Sequence, residues 1–160
     1  MEPNANAPPE SFSKDFTESD IGWPGGRALF TWWDKARGKR AFPKRRDFSP
    51  SSMIPFLPAI IMFDVGGAGR PYTFRLVGTA ITDVLDFDPT GMGLDEIPAT
   101  ANIRTRYDWV LEHKKPYMCT NLPTRWAKKD YKFYSTLVLP LGPSDDEVTM
   151  LIANANFGKI

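Results

Sequence analysis

The stretch Tyr72–Gly91, YTFRLVGTAITDVLDFDPTG, constrains the fold more than any other part of the chain. Its first residues, Tyr72 to Val77, are rich in aromatic and β-branched side chains, as in a strand, and end at Gly78. Val77, Ile81, Val84 and Leu85 then recur at steps of four, three and one, the spacing of one helical face. Asp88-Pro89-Thr90-Gly91 stops this helix, because proline cannot continue it and glycine accepts backbone angles that other residues resist. A strand running straight into a short helix and a tight turn predicts a sheet wrapped over small helices, with a hollow between.

A chain of 160 residues, 42% hydrophobic, suffices for one domain with a buried core. Residues 1–20 are dominated by Pro, Ser, Asn, Asp and Glu, with only Phe12 and Phe16 as anchors. That composition predicts a mobile tail before a single domain over residues 21–160. Met1-Glu2-Pro3-Asn4 lacks the basic start and apolar run of a signal peptide. The longest apolar run, Ile54 to Phe63, is interrupted by Pro55 and Pro58 and is far below membrane-spanning length. One cysteine, Cys119, excludes an intrachain disulfide and suits a reducing compartment. Together these features predict a soluble, cytoplasmic protein.

The first helix is expected from Pro24 to Gly38. Leu29, Trp32, Trp33 and Ala36 form its apolar stripe, and Phe30 falls beside that stripe. So much aromatic surface on one helix predicts a homodimer with Leu29, Phe30, Trp32 and Trp33 in the interface. The cluster Lys35, Arg37, Lys39, Arg40, Lys44, Arg45 and Arg46 follows, flanked by Asp34 and Asp47. With a net charge of +1, the chain has no global attraction to nucleic acid or membrane, so any anion binding would be local to this segment.

A short helix or turn is expected around Ser51 to Leu57, then a strand from Ala59 to Val65. Gly66-Gly67-Ala68-Gly69 reverses the chain into the Pro71–Val77 strand, making a hairpin. Asn102 to His113 is a helix with Ile103, Tyr107, Val110 and Leu111 on one face, ended by Pro116. Three strands follow, from Tyr117 to Trp126, Tyr131 to Leu141 and Glu147 to Phe157, with turns at Lys128-Lys129-Asp130 and Gly142–Asp146. The last two are apolar on both faces, which places them centrally in a sheet covered on both sides. The expected fold is α+β: a five-stranded antiparallel sheet with the middle helices on one face and the N-terminal helix on the other.

This order of elements matches a PAS fold, and particular residues carry a closer likeness. LFTWWDKARGKR, RRDFSP, IPFLPAIIMFDV, FRLVGTAI and DPTG together resemble the stand-alone PAS-like proteins found mainly in alphaproteobacteria. The matching positions are Trp33, Arg37, Gly38, Arg46, Asp47, Pro50, Leu57, Pro58, Phe74 to Thr79, Asp88, Thr90 and Gly91. One position departs: the family usually has glycine where this chain has Asp86. The resemblance implies a sensory or interaction domain, pairing through a helix like the first one here, with ligands held between the concave sheet face and the middle helices.

Several chemistries lack their residues. One histidine and one cysteine do not make a zinc site, and no metal is expected. His113 is on the helix from which haem-binding PAS domains take a ligand, but its place at the helix end beside Lys114 and Lys115 disfavours haem, so no cofactor is expected. Cys119 stands on a strand without the Asn-Cys-Arg-like segment of flavin photosensors. No nucleophile or phosphate-loop motif is present, so no enzyme is expected. What remains is a pocket whose candidate walls are Phe74, Leu76, Tyr107, Trp109, Trp126 and Tyr134, with Arg75 as an internal guanidinium for a carboxylate or phosphate. The expected function is a non-catalytic sensory or interaction domain that binds a small molecule or a signalling protein; the alternative is an anion binder acting through residues 35–46 on cyclic nucleotide, nucleic acid or lipid headgroup.

Overall fold

The computed structural model describes residues 11–67, 69–126 and 131–159. Among them six strands form one sheet: β1 (Ser11–Ser13), β2 (Ile60–Val65), β3 (Tyr72–Val77), β4 (Tyr117–Pro123), β5 (Tyr131–Leu141) and β6 (Met150–Lys159). Their order is β1-β4-β5-β6-β2-β3, and every neighbouring pair is antiparallel. The α-helices are α1 (Pro24–Arg37), α2 (Thr79–Leu85) and α3 (Ala101–His113), and a proline-punctuated 3-10 segment spans Pro50–Ala59.

The architecture is the expected α+β one, with one strand more. Residues 11–20 do not belong to a tail: Ser11–Ser13 pairs with Met118–Thr120 as the sixth, edge strand. The two phenylalanines explain why. Phe12 lies against Trp109 and Tyr117, and Phe16 packs on Phe30 with ring centroids 5.5 Å apart. Between them and α1, a 3-10 turn at Glu18–Asp20 is fixed by the Thr17 N–H, which donates to the Asp20 carboxylate at 2.8 Å. Residues 1–10 and the expected turn at Lys128-Lys129-Asp130 lie outside the described residues, as does Ala68 of the β2–β3 reversal.

Alternation along the strands sorts the core into two layers. Ile60, Met62, Leu137, Leu139, Leu141 and Ile152 pack under α1 together with Leu29 and Trp33. Ile61, Phe63, Val138, Leu151 and Ala153 pack under α2 and α3 together with Ile81, Leu85, Tyr107 and Val110. Two indole N–H groups pin α1 and its entry to the sheet: Trp23 donates to the Asn154 side chain at 2.8 Å and Trp33 to the Pro140 carbonyl at 2.9 Å.

This packing withdraws Leu29 and Trp33 from the expected interface. Leu29 is 0% exposed and Trp33 4%, so both belong to the chain's own core. Phe30 and Trp32 stay half-buried: Phe16 covers part of Phe30, and Trp32 rests edge-on against Phe48 at 5.1 Å. Part of the apolar surplus of α1 is covered by Phe16 and Phe48, residues that composition alone assigns to a tail or a loop.

The stretch Tyr72–Gly91 closes on itself as a unit. The Asp88 carboxylate accepts from the Thr90 N–H (3.0 Å) and hydroxyl (2.6 Å), which folds the turn and holds that carboxyl below its usual pKa. Gly91 N–H then donates to the Phe74 carbonyl at 2.8 Å, and Phe74 N–H to the Met92 carbonyl at 2.9 Å, so the turn is stitched back onto β3. At Gly78 the carbonyls of Leu57 and Pro58 come so close that a Cβ has no room, which is why glycine separates strand from helix. Asp86 ends α2 in the left-handed conformation, φ 70°, where the family's glycine would be unstrained.

Candidate functional site

A cavity of about 60 Å³ lies between the sheet and the helices α2 and α3. Its floor is Ile61, Phe63, Phe74, Ala153 and Ala155; its roof is Ile81, Leu85, Leu94, Ile97, Ile103 and Tyr107. One end is an aromatic group in which Trp126 meets Tyr134 edge-on at 5.3 Å and Phe157 at 5.9 Å. Polar atoms enter only from Thr100, Tyr107, Tyr117, Trp126, Tyr134 and Thr136.

α3 is held over this cavity at its middle and at its start. The Tyr72 hydroxyl donates to the Asp108 carboxylate at 2.6 Å, tying β3 to the outer side of the helix. At its start, the Thr100 hydroxyl donates to the carbonyls of Leu94 (3.0 Å) and Ile97 (2.9 Å), anchoring the preceding turn.

Burial raises the phenol pKa of Tyr107, Tyr117 and Tyr134; for Tyr134 it outweighs the opposing field of Arg106. These hydroxyls are therefore neutral near pH 7 and able both to donate and to accept. Arg106, on α3, stands close enough to the Tyr117 and Tyr134 phenols for its charge to act on both. The site thus combines an apolar interior with a polar rim on the α3–β4–β5 side, an arrangement suited to holding a small ligand and orienting one end of it.

Phe74, Tyr107, Trp126 and Tyr134 line the cavity as the sequence predicts. Arg75 and Leu76 do not: strand alternation alone puts Arg75 on the face opposite Phe74, and a β-bulge accounts for Leu76. Phe63 pairs with Phe74 but Met62 pairs with Leu76, leaving Arg75 unpaired between them. Arg75 is exposed, and the bulge swings Leu76 to the α1 side of the sheet. Trp109 also falls outside the lining: it packs between Phe12 and His113, with its ring 4.6 Å from the imidazole. His113 is accordingly at the exposed end of α3, its Nδ1 3.0 Å from the Trp109 carbonyl.

Tyr117, Thr100, Thr136 and Arg106 were missed. Arg106 carried a readable signal: it stands three residues after Ile103 and four before Val110, on the flank of the helix's apolar stripe. Tyr117 had none beyond its place at the start of a strand.

Two of the seven basic side chains in residues 35–46, Arg37 and Arg40, are committed to ion pairs. Arg37 pairs with Asp34 at 2.7 Å and Arg40 with Asp47 at 3.1 Å, while Arg40 Nη2 also donates to the Ala36 carbonyl at 2.8 Å. The Asp47 carboxyl is held below its usual value chiefly by the Lys44 N–H, which donates to it at 2.9 Å. Lys35, Lys39, Arg45 and Arg46 remain exposed. Among the described residues no group of three or more His, Cys, Asp or Glu side chains is placed to hold a metal, and no helix is long and apolar enough to cross a membrane.

An antiparallel sheet cupped around short helices, with a cavity beneath the long helix and a further helix behind, defines the PAS class. The sequence matches the PAS domain family over residues 23–152, and the chain belongs to that family. Among solved structures it is similar to a sensory box sensor histidine kinase from Vibrio cholerae, with a TM-score of 0.49 and 16% identity over 69% of this chain and 89% of that one. The chain matches no curated protein.

Proposed function

We propose that this PAS domain is a cytoplasmic, non-catalytic sensory module that holds a small molecule in the cavity under α3 and reports its presence to a protein partner. The carrying observation is the cavity itself. It is apolar over most of its wall, and its neutral tyrosine hydroxyls sit where one end of a guest would need partners. Signalling fits the same geometry. The Tyr72–Asp108 hydrogen bond ties the sheet to the outer side of α3, and Arg106 of the same helix acts on Tyr117, so occupancy below the helix has a short route to its outer face. The single cysteine, buried in β4, suits a reducing compartment.

The test is to purify the intact chain from its own host without denaturation, unfold it, and identify released compounds by mass spectrometry. A compound recovered near one equivalent per chain is the expected result. Repeated preparations that release nothing above trace would contradict the reading.

A further inference from the structure

The cavity has a neighbour. A smaller cleft on the solvent side shares Ile103, Trp126 and Tyr134 with it, and adds Arg106 and Arg125. Trp126 is the partition between the two. Its Nε1–H is buried; the Tyr134 hydroxyl is close enough to feel it, yet the pair falls short of hydrogen-bond geometry. A buried N–H without an acceptor is costly, and an oxygen arriving at the junction would meet it. Arg106 bears on both spaces, since it lines the outer cleft and its charge acts on Tyr117 of the inner wall.

The size of the inner space limits what enters it. A water-sized position takes roughly 10–15 Å³ on this measure, so about 60 Å³ holds a handful of carbon atoms and no large ring system. Its walls at Ile61, Phe63, Leu85 and Ala153 offer nothing to a charge, whereas both arginines lie on the outer side. The partners at the junction are an N–H donor and guanidinium forks, which match a planar two-oxygen group.

We propose that cavity and cleft form one site for a short aliphatic carboxylate, its hydrocarbon chain in the inner space and its carboxylate at the junction. There the acid accepts from Trp126 Nε1 and faces Arg106 and Arg125. This rests on the reading of the cavity as a ligand site and adds the ligand's class and orientation.

The test follows the indole N–H signals of the ¹⁵N-labelled full chain during titration with valerate, and separately with valeramide and 1-pentanol. The chain has five tryptophans, and the Trp126 signal is the one lost in Trp126→Phe. Valerate should move that signal saturably, and the two uncharged compounds should bind at least tenfold more weakly. Arg125→Gln should weaken valerate at least tenfold; Arg125 is exposed, so this variant leaves the core intact. Should the amide and alcohol bind as tightly as the acid, with Arg125→Gln without effect, the carboxylate proposal is overturned while the cavity remains a ligand site. Silence with all three compounds also overturns it, and the search for a copurified compound then decides independently whether the cavity holds anything.

Discussion

The Phe12 ring stacks on that of Tyr117, 5.1 Å between centroids and 27° between planes. Tyr117 also lines the cavity and lies in the field of Arg106. The N-terminal edge strand therefore leans on a wall of the proposed ligand site. With three residues, β1 has little besides this ring and the Trp109 edge contact at 5.3 Å to keep it in place.

Phe12→Ala should release β1 while leaving the rest of the fold intact, at a cost of about 1 kcal/mol from the lost aromatic pairs. Hydrogen exchange should accelerate at Met118–Thr120, the β4 residues paired with β1. Unchanged exchange there would mean that the strand holds without its aromatic anchor.

Leu29→Ala distinguishes a core role from an interface role. As a residue 0% exposed within one chain, Leu29 should cost about 2–5 kcal/mol when truncated. Denaturant titrations should give that loss at every protein concentration. A loss that disappears on dilution would return Leu29 to a subunit interface.

Asp86→Gly should stabilise the domain by about 0.5–1 kcal/mol, because it removes a side chain from a left-handed position that costs little for glycine. The φ of 70° at the end of α2 is the motive. Thermal unfolding reads the change, and a lowered melting temperature would show that the Asp86 side chain contributes more than its backbone costs.

The tyrosines predict alkaline behaviour. Tyr72, Tyr107, Tyr117 and Tyr134 all have folded-state values raised above the ordinary 10.0, with burial the largest cause in each. A raised acid is protonated in both states below pH 10, so its contribution is complete there. As pH climbs past 10, the unfolded chain loses these protons first, and stability falls. Phenolate absorbance should therefore rise together with the loss of circular dichroism. Phenolate forming at pH 10–11 in a chain with native dichroism would show that these rings are accessible.

Much of this fold was legible because its elements carry local signals. The strand–Gly78–helix–DPTG unit, the α3 stripe and the two-faced strands β5 and β6 each announce their layer through period and punctuation. The site was legible only where alternation held. Phe74 and Tyr134 point as a regular strand predicts, and alternation from Phe74 already sends Arg75 to the other face; the bulge there reversed Leu76, and a bulge leaves no mark that periodicity detects. The Phe16–Phe30 contact escaped for another reason. Two aromatic residues in a polar segment look like too little to order it, and only the surface waiting for them on α1 makes them sufficient.

Filling the cavity tests most directly whether it is a space kept for a ligand or ordinary core. Ala153, on the cavity floor and 2% exposed, becomes valine, which adds two methyl groups and suits a strand. A void of about 60 Å³, at roughly 24 cal/mol per Å³, leaves about 1.4 kcal/mol to be recovered. The ligand-stripped Ala153→Val protein should therefore melt a few degrees above the stripped wild type and no longer retain the copurified compound. A lower melting temperature, with the compound still retained, would contradict the account.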